Sequence, residues 1–225
     1  MSTKKKQPYI SAQRLCEYSE AGSIRRRQIV KSFHADKDYS KLWYNKVNKA
    51  LPKFIESGYD ESILQNEILK IEALKSGTEW TDADYPNSIE ALKRLKDILL
   101  PDLSDYDFVN DIPKLDHIVL GDVKVNLKPS VYLRSKKTGK VGAIKTSITK
   151  TDKHRLTEDN LELLPTLLKY GFIESGLDVK EIDKKGCIGI DVMNMSFAYA
   201  PSSYKLAIRR LEASCEEYNL WWQSL

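Results

Sequence analysis

The stretch that most restricts what this chain can fold into is residues 114–155, KLDHIVLGDVKVNLKPSVYLRSKKTGKVGAIKTSITKTDKHR. Leu115, His117 and Val119 alternate with other residues, then Val123, Val125 and Leu127 do the same, and Val131 and Leu133 flank Tyr132. A period of two over several residues is the signature of a half-buried strand. Gly121-Asp122 and Thr138-Gly139 are turn formers, because glycine enters the left-handed region at no steric cost. The pattern therefore predicts three strands joined by two short connections, an antiparallel meander that the flanking segments must cover.

Those flanks read mainly as helix. Ser11 is positioned to cap a short helix to Tyr18, and a second, Ile24 to Phe33, follows Gly22-Ser23. Residues 39–56 carry Trp43, Val47, Leu51 and Phe54 at helical spacing, with Pro52 expected to kink or break the helix near Leu51. A helix from Asp60 to Lys75, closed by Gly77, and one from Ser88 to Leu100 complete the first half, with Trp80 in a loop between them. Residues 101–113 are acidic and turn-rich. They miss the calcium-loop pattern, because Val109 and Asn110 stand where an oxygen ligand and a glycine are required, and they read as a solvated linker.

After the strands, Thr157 caps a helix with Glu158 and Asp159 in its first turn and Leu161, Leu164, Leu168 and Phe172 on its apolar face. Gly186 to Val192 is a short β-branched run, a buried fourth strand, with Met195 to Tyr199 extending it or pairing beside it. Tyr204, Ile208, Leu211, Cys215, Tyr218 and Trp222 define a final helix. The expected fold class is α+β: a helical N-terminal extension over residues 1–83, then a β-β-β-α-β-α core over 84–225.

Charge is unevenly placed. Residues 1–31 carry +6 and residues 134–155 carry +7, so the remainder carries −9 of an overall +4. Two basic stretches on an acidic body suit a localised anion-binding face. The cations expected to contact phosphate are Lys136, Lys137, Lys140, Lys145, Lys150, Lys153 and Arg155, with Arg25, Arg26 and Arg27 as a second patch. The paired short helices 11–18 and 24–33 also suggest a helix-turn-helix, although three adjacent arginines span nearly a full turn and cannot all enter one groove.

Several chemistries are excluded by motif. The sequence has no GxSxG elbow, HExxH pair or CxxC spacing, and the glycines and lysines of residues 139–146 lie between strands with spacing unsuited to a phosphate loop. His34, His117 and His154 are scattered, and Cys16, Cys187 and Cys215 read as buried reduced thiols. No apolar run approaches membrane-spanning length and the basic N-terminus lacks an apolar leader, so a cytoplasmic protein with no membrane association is expected.

Pro129-Ser130 and Ala143-Ile144-Lys145 carry one resemblance. The element order around them, α-β-β-β-α-β, resembles the PD-(D/E)XK nuclease-like superfamily, with its restriction-endonuclease-like core. The resemblance implies Mg²⁺ held by an acid on the second strand and by the acid of an acid-x-Lys on the third, with the lysine stabilising transition-state charge. Here the lysine is Lys145, while Ser130 and Ala143 replace the acids. Lys128–Leu133 and Gly142–Lys150 also resemble segments of a group of small uncharacterised bacterial proteins. The expectation is a nucleic-acid-binding protein or subunit with a non-catalytic nuclease-like core, without a resident cofactor, contacting DNA or RNA backbone and open to a protein partner. One alternative is a Mg²⁺-dependent nuclease in which Lys145 works with a migrated acid, Asp191, or Glu90 or Glu162. Another is an interaction subunit whose basic hairpin docks an acidic partner.

Overall fold

The structure is a computed structural model that describes residues 7–35, 43–74, 77–151 and 154–225. In chain order the elements are β1 (Tyr9–Ser11), α1 (Ala12–Glu20), α2 (Ser23–His34), α3 (Asn45–Glu56), α4 (Glu61–Glu72), α5 (Glu79–Asp97), β2 (Tyr106–Phe108), β3 (His117–Leu120), β4 (Val123–Asn126), β5 (Val131–Ser135), β6 (Val141–Ser147), α6 (Glu158–Glu174), β7 (Ile182–Asp191), β8 (Ser196–Tyr199) and α7 (Lys205–Gln223). The fold is mixed α+β, and among the described residues no helix is long and apolar enough to cross a membrane.

The strands form two sheets rather than one meander. β1-β4-β3 is a three-stranded sheet and β2-β5-β6-β7-β8 a five-stranded one. Residues 115–147 hold four strands, which divide at Lys128-Pro129. Lys128 takes a left-handed conformation (φ 40°) and Pro129 offers no N–H to a ladder, so the chain leaves one sheet there and enters the other. Period-two alternation marks strands but is blind to which partner each will take.

The expected acidic linker supplies a strand. β2 lies within residues 101–113 and pairs antiparallel with β5, Tyr106 opposite Ser135 and Phe108 opposite Leu133. It is a three-residue edge strand with exposed Asp107 between two half-buried aromatics, too short and too acidic to stand out from a turn. The parallel pair β6–β7 lies at the centre of the larger sheet, and the crossover between them contains α6.

The five-stranded sheet separates two apolar clusters. Ala143 and Cys187 pack with Leu164, Leu168 and Phe172 of α6 and with residues of β4, α1 and α7. Ile144, Ile188 and Ile190 pack on the other side with α3, α4 and α5. Alternation along β6 thus puts Lys145 on the α6 face with Ala143.

Helix ends follow their caps. Ser11 accepts from the Arg14 amide, Asp60 from Ser62 and Thr157 from Asn160. α5 differs from expectation: Thr78 caps it in a reciprocal pair with Thr81, Trp80 lies in its first turn, and Ser88 is buried within it. The expected boundary at residues 83 and 84 therefore falls inside a helix. α3 runs unbroken through Pro52, since Asn48, whose carbonyl loses its donor, is exposed where water can serve it. Trp43 precedes that helix and is 48% exposed rather than buried; residues 39–42 of the expected helix lie outside the described residues. The N-terminal segment joins the rest directly: β1 pairs parallel with β4, and the Tyr218 hydroxyl of α7 donates to the Tyr9 carbonyl (2.9 Å).

Candidate nucleic-acid interface

Each of the two expected basic patches is partly paired with carboxylates of the same chain. In the β5–β6 hairpin, the Lys137 ammonium bonds the Asp105 carboxylate (2.7 Å), and that of Lys136 donates to the Ser104 carbonyl (2.7 Å) and lies 4.0 Å from Asp107. Arg134 pairs with Asp111 (3.1 Å), and Lys140 is exposed. The acids beside and within β2 thus compensate part of the hairpin's charge. The α2 arginines are similarly committed. Arg25 pairs with Glu17 (2.6 Å), Arg26 with Glu217 and with the carbonyls of Tyr18 and Ser19 (both 3.1 Å), and Arg27 stacks on Trp221 at 4.2 Å.

Lys145 is different. Its side chain is half-buried and donates to the Lys128 carbonyl (2.8 Å), a neutral acceptor, with the charge of Lys128 close by. Burial first, and repulsion from Lys128 second, pull its pKa down to about 8. Lys128 itself is exposed, and its amide donates to the Leu115 carbonyl (2.9 Å). The neighbouring Lys114 places its ammonium 4.7 Å from the Tyr132 ring, whose hydroxyl accepts from the Leu115 amide (2.7 Å). The junction of the two sheets therefore brings Lys128 and Lys145 together, with Lys114 over the Tyr132 ring next along the chain from Leu115. Of these only Lys145 was expected. The available signal for the others was the position of Lys128 directly before Pro129, where the backbone turns from one sheet to the other.

The positions that would hold Mg²⁺ do not fit it. Ser130 donates its amide to the Ile144 carbonyl (2.7 Å) and its hydroxyl lies 3.2 Å from that of Thr146; Ala143 has only a methyl. Asp191 is fully buried on β7, where its Oδ1 accepts from the amides of Met193 (3.0 Å) and Asn194 (3.1 Å) and its Oδ2 from the Asn194 side chain (3.3 Å). Burial raises its pKa, opposed by those amides and by the charge of Arg155. Lys145 lies opposite Gly189 and Asp191 opposite Ser147, so the two candidate catalytic residues are offset along neighbouring strands. Glu90 is paired with Arg94 (3.0 Å) and Glu162 is exposed. Among the described residues no group of three or more His, Cys, Asp or Glu is arranged to hold a metal ion.

Asp191 is thus a buried turn cap. Asp191→Ala removes the acceptor of two amides and should cost about 2–3 kcal/mol in urea unfolding, whereas Asp191→Asn, which keeps an oxygen there, should cost less.

The remaining expected contacts lie beyond β6. The Lys150 ammonium bonds the Asn87 side chain, and Arg155 donates to the carbonyls of Thr149 (3.2 Å) and Lys150 (3.0 Å). Lys153 lies outside the described residues. No family model matches the sequence, and comparison with curated proteins finds no significant relative.

Proposed function

We propose that this chain is a nucleic-acid-binding protein, or the nucleic-acid-binding subunit of a complex, whose nuclease-like core holds the phosphate backbone without cleaving it. The observation that carries this reading is the Lys145 ammonium, half-buried beside Lys128 and bonded to a carbonyl rather than a carboxylate. A desolvated cation repelled by a second one is stabilised by any anion that reaches both, and a phosphodiester oxygen has the charge and acceptor geometry to do so. The order α5, β2, β5, β6, α6, β7, with its strands in one sheet and β3 and β4 of the smaller sheet inserted after β2, supports the likeness to an α-β-β-β-α-β core. Ser130 and Ala143 in place of carboxylates favour binding over metal-assisted hydrolysis. Lysines approach phosphate as point charges and read no base edges, so preference for sequence is weak.

The test is fluorescence anisotropy of labelled single- and double-stranded DNA and RNA in EDTA, across salt and pH. Affinity should fall log-linearly with salt. It should also fall as pH rises through about 8, because the free protein then loses the Lys145 proton that the bound phosphate requires. By the same linkage the charged Lys145 costs folding stability below about pH 8, and that cost is relieved as pH rises from about 8 to the ordinary 10.5, where the unfolded chain binds the extra proton. Absence of binding at low salt overturns the proposal; cleavage on adding Mg²⁺ or Mn²⁺ overturns its non-catalytic part.

A further inference from the structure

A second surface lies on the other side of the five-stranded sheet. Two adjoining hollows of about 620 and 360 Å³ run along α5 and share Pro86 and Ile89. Half-exposed apolar side chains stand at the two ends, Met195 (46% exposed) at one and Leu74 (41%) at the other. The charged rim is predominantly acidic: Glu72, Asp82, Glu90 and Asp97 against Lys93 and Arg94. Arg94 is already bonded to Glu90 (3.0 Å) and to the Met193 carbonyl (2.7 Å).

We infer that this groove docks an amphipathic, Lys/Arg-bearing segment of a partner protein. An apolar floor with an acidic rim complements a segment that places apolar side chains on one face and donors on its flanks. The same rim repels phosphate, which separates this surface from the Lys145 site. The buried face of α5, including Ala91, Leu92 and Leu95, packs on the side of the sheet opposite the α6 face that carries Lys145. Both surfaces are therefore open to occupation at once.

The test uses the full chain and a labelled amphipathic Leu/Lys peptide, with a scrambled peptide of the same composition whose leucines share no face. The amphipathic peptide should bind at least about tenfold more tightly than the scramble. Glu72→Lys, Asp97→Lys and Met195→Asp combined should weaken it about tenfold or more, with the circular dichroism of the fold unchanged. Lys128→Gln with Lys145→Gln should leave peptide binding intact. Equal binding of both peptides, or no loss in the groove variant, overturns the inference. So does self-association that the groove substitutions abolish, which assigns the groove to a second copy, or loss of oligonucleotide binding in the groove variant.

Discussion

Substituting Lys128 and Lys145 together by glutamine is expected to lower polynucleotide affinity about 50-fold near 0.1 M salt and to reduce the log–log salt slope by about 2, since each lost phosphate contact removes roughly 0.9 from the slope. The hairpin provides the contrast. Lys136 and Lys137 face Asp107 and Asp105, so replacing both by glutamine removes charge that the chain already compensates. Affinity should then change by no more than about threefold, in line with the small energies of exposed ion pairs. Arg25→Gln with Arg26→Gln should lower stability through lost bonds to Glu17 and Glu217 without selectively lowering affinity. Anisotropy on the three variants side by side ranks the surfaces, and a hairpin variant that loses more than the Lys128 and Lys145 pair would move the interface to the hairpin tip.

The largest loss of stability is expected from Gly142→Ala. A Cβ on Gly142 would sit 2.4 Å from the backbone carbon and oxygen of Gly186, where the parallel β6–β7 register shifts. Neither atom can swing aside as a side-chain tip would, so the central strands must separate. A cost of about 3 kcal/mol or more follows, enough to remove much of a domain's net stability. Gly77→Ala is the control: its Cβ meets nothing within 4 Å, and its effect should stay within about 0.5 kcal/mol. Because Lys145 lies three residues further along β6, Gly142→Ala should also weaken oligonucleotide binding at temperatures where the chain remains folded.

Local signals were legible where one segment decides its own conformation. The Ser11 and Thr157 caps, the leucine stripe of α6, the β-branched run of β7 and the aromatic repeat of α7 all appear as read, because propensity, capping and burial agree at each. What could not be read depended on distant partners. β2 is a strand only because β5 is beside it. The arginines of α2 look like a free basic patch until Glu217, 191 residues from Arg26, is brought against them. Lys137 of the hairpin is matched by Asp105, 32 residues away. Net charge over a window shows where cations are but is silent on which are already compensated, and that distinction separates Lys145 from Lys136, Lys137, Arg25 and Arg26.

The placement of β1 has a consequence for synthesis of the chain. Tyr9 and Ile10 pair with Lys124 and Val125, and the Tyr9 carbonyl takes its hydrogen bond from Tyr218, 209 residues later. At ribosomal rates of about 5–20 residues per second, β1 waits roughly 10–40 s for this partner in α7. Until α7 is made, Ile10 and Leu15, fully buried in the finished protein, lack part of the surroundings that bury them. The β1–α1 segment is thus partly uncovered apolar surface until α7 is made, a natural point of engagement for chaperones.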